Sequence, residues 1–354
     1  MKSDFVLDYA QFSPHNASKG AEATCEFLRK GDEQNKDSLG DMERMRARPG
    51  KTVLEGENIE IQSRDPGRTI PCRVIRPKAG RSSTTGVFLH FHGGGLCEGG
   101  HDEVDPLLHR YANASRCAVV SVGYRLAPEN PYPSCIHDCF DVADYICDHA
   151  VEHFEGPLQF IGGESAGGYL AMQTFFHLAG THEDWNSLKG LVLTYSVFSL
   201  SYLPTTFTTP NPVCVDAKKI LWYYKATFPA NEGHHWEVCK ELELEFGILA
   251  QPELPYDAPP KHPAISPLYR SLEKLRSRLP TAFFLCGTVD PILDDTILMS
   301  AHWQIAGGRA VVKFVTGAPH AFVELPLELA DCCVKGNELI QEFLEEARLS
   351  TQTA

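Results

Sequence analysis

The sequence has few basic residues, no long apolar run and no pair of cysteines with the CxxC spacing. Its 354 residues carry 32 Lys and Arg against 46 Asp and Glu, a formal net charge of −14. Such a surface repels phosphate backbones and anionic lipid, so nucleic-acid binding is disfavoured. One of the most apolar runs, residues 190–200, still contains Thr194, Tyr195 and Ser196. It is well short of the roughly 18 residues that a membrane span needs, and no span is predicted.

The N-terminal segment and the cysteines bear on cellular location. Residues 1–20, MKSDFVLDYAQFSPHNASKG, have acids where a signal peptide has bases, and they lack its apolar stretch. We therefore expect a cytoplasmic protein. The 12 cysteines are too sparse for a disulfide scaffold and are expected to stay reduced there. None forms a CxxC pair, so a zinc site has little support, and we expect neither a metal nor a cofactor.

Short β-branched runs alternate with helical patterns along most of the chain. Hydrophobic residues make up 43% and charged residues 22%, ordinary values for a globular protein with one sizeable core. The predicted strands are residues 70–75, 86–91, 118–122, 158–161, 191–195, 282–285 and 311–315. The predicted helices are residues 104–114, 135–149, 166–178, 292–305 and 327–346. Alternation of this kind implies crossover units and a mainly parallel sheet in an α/β fold.

Two stretches interrupt the alternation. Residues 1–55 are polar and charged, and residues 197–262 are rich in aromatics and proline. A structureless connection as long as the second is unlikely inside a compact domain, so we expect a partly helical lid with the N-terminal segment beside it. The predicted organisation is an N-terminal cap segment at 1–55, a core divided into 56–196 and 263–354, and a lid insertion at 197–262. An ornamental surface insertion is the alternative.

The insertion carries more large apolar side chains than an exposed loop can leave in water. They are Tyr202, Phe207, Leu221, Trp222, Tyr223, Tyr224 and Phe228. We expect them to face the pocket, with Leu221, Tyr224 and Phe228 on one helical stripe. The alternative is that this stripe is the core of the cap itself.

A Gly-x-Ser-x-Gly motif lies between a predicted strand and a predicted helix. It occupies residues 163–167, directly after strand 158–161 and at the start of helix 166–178. Glycines on both sides of the serine remove side chains that would collide in a sharp strand-to-helix turn, which lifts the hydroxyl out of the sheet edge. Ser165 is therefore the candidate nucleophile. The alternative is an ordinary glycine-rich turn.

A serine hydroxyl needs a base, and the base needs an acid that orients it. His320 and Asp290 each follow a predicted strand near its carboxyl end, where the active sites of open α/β sheets form. Asp294 and Asp295 compete with Asp290, but they fall in the first turn of a predicted helix, where the helix dipole alone explains an acid. We assign His320 as the base and Asp290 as the acid.

A glycine loop follows the second predicted strand. Its residues are His92, Gly93, Gly94 and Gly95, and glycines let backbone N–H groups approach a substrate oxygen closely. With the N–H of Ala166, the amides of Gly94 and Gly95 are expected to form an oxyanion hole, with Gly93 as a further candidate. His92 is expected to orient the loop. A flexible glycine loop without a role in catalysis is the alternative.

These motifs together resemble the hormone-sensitive-lipase-like family of α/β-hydrolases. The resemblance is carried by residues 92–95, YRLAPE at 124–129, residues 163–168, Asp290-Pro291 and His320. It covers roughly residues 69–200 and 280–325, and the order serine, acid, histidine is the one found in this fold. One departure is Glu164 before the nucleophile, where many relatives carry Asp.

The resemblance implies an α/β-hydrolase fold, with a mostly parallel eight-stranded sheet flanked by helices and a mainly helical cap. It also implies hydrolysis of short to medium acyl esters, small molecules, without a cofactor. The YRLAPE segment would hold the oxyanion loop. Hydrolysis of an amide, such as an aryl formamide, or of a lactone stays open, as does a non-hydrolytic lyase or ligand-binding relative. A homodimer also stays open.

Overall fold

The computed structural model describes residues 7–35, 39–46, 54–182, 187–201, 203–228, 261–276 and 278–350. A single eight-stranded sheet with the order β1-β2-β4-β3-β5-β6-β7-β8 organises them. The strands are β1 Glu57–Gln62, β2 Thr69–Ile75, β3 Val87–Phe91, β4 Ala118–Val122, β5 Leu158–Glu164, β6 Gly190–Thr194, β7 Ala282–Gly287 and β8 Ala310–Val315. Strand β2 pairs antiparallel with β1 and β4, and all other pairs are parallel. The predicted fold class is confirmed.

Ten α-helices are described in these ranges. They are α1 Tyr9–Phe12, α2 Lys19–Asn35, α3 Met42–Arg46, α4 Asp105–Ser115, α5 Ser134–His153, α6 Ala166–Thr181, α7 Thr205–Thr208, α8 Ala217–Thr227, α9 Leu293–Ile305 and α10 Asp331–Leu349. Helices α5 and α6 pack on one face of the sheet, and α4 and α10 on the other. Because both faces are covered, every residue of β3 to β7 is buried, as expected of parallel strands.

All seven strands predicted from β-branched runs are present, and the structure adds one more. Strand β1 has the sequence ENIEIQ, of which only Ile61 is buried. It lies at the sheet edge and pairs on one side only. An edge strand this polar lacks the apolar run that identifies the central strands, which is why the sequence pattern missed it.

Parts of both interrupting stretches are described. The N-terminal helix α2 packs against α10, where the Ser18 hydroxyl donates to Asp331 Oδ1 at 2.6 Å. In the insertion, α8 begins after Asp216, whose side chain accepts from the N–H of Lys219 at 2.7 Å, a typical N-cap. Residues 229–260 of the predicted lid lie outside the described residues, and the predicted domain boundaries stay predictions.

The described ranges also bear on membrane-spanning helices and on the cysteines. No helix in them combines the length and apolar character of a membrane-spanning segment. Their cysteines are all free thiols.

Candidate active site

Ser165 occupies the sharp turn between β5 and α6. Its backbone has φ 56° and ψ −118°, a conformation that non-glycine residues avoid and that recurs at functional sites. The turn is held by the Ser165 N–H, which donates to the carbonyl of Thr194 at 2.9 Å. A Cβ atom at Gly163 or at Gly167 would collide with the carbonyl oxygen of Phe91 in β3. The glycines of the motif are therefore required by close packing of the turn on the neighbouring strand.

The structure brings Ser165, His320 and Asp290 together. His320 follows β8, and its Nε2 lies 2.9 Å from Ser165 Oγ. Asp290 follows β7, and its Oδ2 lies 2.8 Å from His320 Nδ1. Because an ionised carboxylate only accepts hydrogen bonds, Nδ1 donates to it, which leaves Nε2 free to accept from the serine. Asp290 is fully buried, and its other oxygen accepts from the N–H of Ile292 at 2.9 Å.

The two competing acids hold the start of the insertion. Oδ1 of Asp295 accepts from the N–H groups of Phe198 and Ser199 at 2.6 and 2.7 Å. Asp294 Oδ2 accepts from the N–H of Thr205 at 2.9 Å. Burial raises the pKa of Asp295 to about 7, against the lowering effect of its two backbone donors. Both acids thus fasten the chain after β6 to α9, a role beyond the helix-dipole explanation.

The glycine loop after β3 approaches Ser165 from the side. Gly94 and Gly95 have φ 110° and 60° and line the same pocket as Ser165 and Ala166. The N–H groups of Gly94, Gly95 and Ala166 donate to no acceptor among the described residues. These three amides can therefore receive a substrate oxygen. Gly93 lies close to Ser165, since a Cβ atom there would be 3.6 Å from Ser165 Cβ, but it does not line the pocket.

His92 and the YRLAPE segment contact the backbone of this loop. His92 Nδ1 lies 2.8 Å from the carbonyl oxygen of Gly93. The ring of Tyr124 stacks on His92 at 4.2 Å between centroids, and its hydroxyl donates to the His92 carbonyl at 2.8 Å. The N–H of Ala127 donates to the carbonyl of Leu96 at 2.9 Å. These contacts reach the loop backbone and leave the triad untouched.

A cavity opens above the triad, and helix α8 forms one wall. Its volume is about 120 Å³, similar to cavities that hold one benzene-sized group. The apolar lining includes Val197, Leu200, Ile220, Tyr223, Tyr224, Phe228 and Ile292. Glu98, Lys219 and Glu324 are polar members of the same lining, and none of these three was predicted. Isolated charged residues in a loop and a helix carry no sequence signal of their own.

The prediction for the lid side chains is partly wrong. Tyr223, Tyr224 and Phe228 line the cavity, but Leu221 and Phe207 are exposed. The pocket-facing stripe of α8 passes through Ile220, Tyr223, Tyr224 and Thr227, and Leu221 lies beside this stripe rather than within it. Trp222 packs instead with the small cluster around Met45 and Cys97. Tyr202 lies outside the described residues.

A buried polar network surrounds Glu164, the residue before Ser165, and the sequence did not predict it. The carboxylate of Glu164 accepts from the Tyr111 hydroxyl at 2.6 Å and from His90 Nε2 at 2.8 Å. His90 Nδ1 lies 3.0 Å from Ser121 Oγ. Burial and the nearby Glu164 carboxylate raise the pKa of Tyr111 well above its ordinary value, so the phenol remains a donor. The Glu164 departure was the only available signal.

No group of three or more His, Cys, Asp or Glu side chains able to hold a metal ion occurs in the described part of the chain.

Comparison with protein families identifies the class. A family model described as alpha/beta hydrolase fold matches residues 88–324. The match spans the oxyanion loop, the serine turn, Asp290 and His320, and the chain belongs to this family. Its resemblance to the hormone-sensitive-lipase-like type is confirmed, and so is the predicted enzyme class of carboxylic ester hydrolase.

Three relatives named as a lipase, a hydrolase and an esterase are 24–27% identical to this chain. Lipase 2 of Moraxella sp. is 24% identical over 305 residues, which cover 83% of this chain and 66% of the relative. Ethyl acetate hydrolase of Pseudomonas putida is 25% identical over 296 residues, 82% of each chain. Arylesterase of Saccharolobus solfataricus is 27% identical over 301 residues, 85% of this chain and 87% of the relative.

Solved structures support the same fold. An esterase of Pyrobaculum calidifontis superposes with a TM-score of 0.67 at 25% identity and covers 91% of this chain and 94% of its own. A thermostable esterase of Pseudomonas putida superposes with a TM-score of 0.72 at 19% identity, over 95% and 98% of the two chains. The second likeness is one of fold alone.

Proposed function

We propose that this enzyme hydrolyses small esters of short to medium carboxylic acids, with Ser165 as nucleophile, His320 as general base and Asp290 as the orienting acid. The observation that carries the proposal is the continuous line of contacts from Ser165 Oγ to His320 Nε2 at 2.9 Å and from His320 Nδ1 to Asp290 Oδ2 at 2.8 Å. A base within this distance of the hydroxyl meets the geometric requirement for proton transfer.

In the first half-reaction, Ser165 Oγ attacks the acyl carbon while His320 Nε2 takes its proton. The carbonyl oxygen becomes negative and is received by the N–H groups of Gly94, Gly95 and Ala166, with Gly93 as a further candidate. The tetrahedral intermediate collapses, and His320 returns the proton to the leaving alcohol. An acyl group remains on Ser165.

In the second half-reaction, water replaces the alcohol. His320 takes a proton from water, the resulting hydroxide attacks the acyl carbon, and the same three amides receive the oxyanion. Collapse breaks the bond to Ser165 Oγ, which recovers its proton from His320, and the acid leaves. Every step uses residues of this chain and water.

The cavity supports a small, uncharged acyl group. Its volume of about 120 Å³ and mostly apolar wall suit a chain of a few carbons. Relatives whose names state their substrates act on ethyl acetate and on aryl esters. We extend this preference to simple esters of short acids here, ahead of formamides and lactones.

The test compares an ester, an amide and a lactone as substrates of the same enzyme preparation. Purified enzyme and Ser165→Ala are assayed with 4-nitrophenyl butyrate, an aryl formamide and a lactone, and each is then treated with an organophosphate. We expect the ester to have the highest kcat/KM, one label on the wild type and none on the variant. Turnover by Ser165→Ala should fall by several orders of magnitude.

Other outcomes separate the alternatives. Higher kcat/KM for the formamide or lactone would change the substrate class but keep the triad. Labelling of another serine with activity intact would refute the nucleophile. If none of the three substrates is hydrolysed, a lyase or ligand-binding role would be favoured.

Location and assembly belong to the same proposal. We propose a cytoplasmic location, which agrees with the free thiols of the described cysteines. The choice between a monomer and a homodimer stays open. Light scattering at the exit of a size-exclusion column would decide between monomer and dimer.

A further inference from the structure

The oxyanion loop lies directly against the cap helix α8. A Cβ atom at Gly95 would clash with the Tyr223 ring, because its Cγ and Cδ2 atoms would be only 2.5 Å away. Gly95 also has φ 60°, a region that favours glycine. The ring of Tyr223 therefore rests on the backbone that carries one of the candidate oxyanion amides. Any shift of α8 changes the support of that amide.

A hydrogen bond fixes the same tyrosine to the far end of the loop. The Tyr223 hydroxyl donates to Glu98 Oε1, and Lys219 Nζ of the same helix lies 3.5 Å from that oxygen. Tyr223 and Glu98 are only 7% and 6% exposed, so solvent hardly competes for the bond. Burial and the Glu98 charge raise the pKa of Tyr223 well above its ordinary value, which keeps the phenol a donor.

The backbone of Glu98 is hydrogen-bonded to the glycine loop. Its N–H and that of Cys97 both donate to the carbonyl of Gly94, at 2.9 and 3.0 Å. Residues 94–98 therefore form one tight turn. Because a peptide unit is planar, the position of the Gly94 carbonyl fixes the orientation of the Gly95 N–H that follows it.

The N-terminal helix α3 contacts the other side of this turn. Arg46 Nε donates to the carbonyl of Cys97 at 2.8 Å, and Arg46 also pairs with Glu129 of the YRLAPE segment at 2.7 Å. The turn is thus held between two cap elements and the core. Its own glycines supply little rigidity.

We propose that Tyr223, through its hydrogen bond to Glu98, is a positioning residue that holds the amide of Gly95 in the geometry required for the oxyanion. The inference rests on the proposed function. Docking of α8 would then both close the pocket and complete the oxyanion hole.

The experiment uses the full-length enzyme and separates ground-state from transition-state binding. The substrate is 4-nitrophenyl butyrate, and the probe is a trifluoromethyl ketone with the same acyl chain, which adds to the nucleophilic serine and places an oxyanion in the hole. In Tyr223→Phe we expect kcat to fall by about tenfold or more. Affinity for the ketone should fall by the same factor, while KM stays within about twofold.

Variants of the partner test the pair. Glu98→Ala should reproduce both losses, whereas Glu98→Gln, whose amide oxygen still accepts from the phenol, should restore most of both. The double variant Tyr223→Phe/Glu98→Ala should lose no more than either single variant, because both remove one shared bond. Leu221→Ala changes the exposed face of the same helix and is the matched control, with kcat and ketone affinity unchanged.

Two results would overturn the inference while leaving the proposed function intact. The first is an active wild type with unchanged kcat and ketone affinity in Tyr223→Phe. The second is a parallel rise of KM and weakening of the ketone at constant kcat, which would make Tyr223 a pocket wall only. A wild type that neither hydrolyses the ester nor binds the ketone would instead refute the proposed function itself.

Discussion

Asp290 contacts His320 through one oxygen, and its other oxygen accepts a hydrogen bond from the backbone. Oδ2 faces His320 Nδ1 and Oδ1 accepts from the Ile292 N–H. A fully buried carboxylate with both oxygens engaged has little freedom to rotate. In the proposed mechanism, this contact places the proton of the imidazole on Nδ1 and leaves Nε2 to accept from Ser165.

Replacement of Asp290 by Asn should abolish most activity without unfolding the protein. The amide oxygen can keep the bond from Ile292, which turns the NH₂ group toward His320 Nδ1. Nδ1 must then accept, so Nε2 carries the proton and cannot take one from Ser165. We expect kcat to fall by about 10³–10⁴, measured with 4-nitrophenyl butyrate beside a thermal melt. Asp294→Asn is the control and should retain activity, and equal losses in both variants would contradict the assignment of the acid.

At the scale of elements, α9 anchors the chain that leaves β6. Asp295 lies near the N-terminus of α9, and its Oδ1 accepts from the N–H groups of residues 198 and 199, which follow the end of β6 at Thr194. Asp294 adds a bond to α7. The start of the insertion is therefore tied to the same helix that follows Asp290. This connection keeps Val197 and Leu200 at the pocket wall.

The buried carboxyl of Asp295 predicts a pH-dependent stability. Its pKa rises from 3.8 to about 7 on folding, so between these values the folded protein holds a proton that the unfolded chain has lost. Asp295 thus lowers the free energy of unfolding as pH rises through this window, by at most about 4 kcal/mol. Asn can accept the same two bonds and does not titrate.

The Tm of Asp295→Asn minus the Tm of the wild type should therefore be higher at about pH 8 than at about pH 5. Thermal unfolding of both proteins in matched buffers measures this difference. Asp294→Asn serves as the control for loss of a neighbouring charge. A Tm difference that is independent of pH would show that Asp295 is ionised throughout.

At the scale of the whole molecule, the sheet and the cap together enclose the site. The triad lies at the carboxyl edge of the sheet, and α8 closes the space above it with aromatic side chains. A mostly apolar cavity of limited volume favours each added methylene group only until it is full. Its size should therefore be visible in the dependence of activity on acyl chain length.

We expect kcat/KM for 4-nitrophenyl esters to rise from acetyl to butyryl or hexanoyl and then to fall steeply. Each buried methylene stabilises the bound state by about 0.8 kcal/mol, or about fourfold in kcat/KM, until the cavity of about 120 Å³ is filled. Emulsified long-chain triglyceride should be a poor substrate. Activity that keeps rising to long chains, or that increases sharply at a lipid–water interface, would indicate an open groove.

The sequence by itself determined the sheet, the serine turn and the order of the site residues. Central strands buried on both faces must be apolar runs, and the sharp turn at Ser165 admits only glycine at two neighbouring positions. Each of these requirements leaves its signature in a few consecutive residues, so the sequence shows it directly. The polar edge strand β1 lacked such a pattern and was missed.

Only the tertiary structure decided which side chains meet. Asp290, Asp294 and Asp295 lie within six residues, yet only Asp290 contacts His320, because the turn after β7 aims one carboxyl along the sheet edge. Helix α8 has aromatic residues on more than one face, and its docking alone selected Tyr223 over Leu221 for the pocket. Periodicity gives the stripes of a helix, but the contact that buries one of them comes from residues far away in the chain.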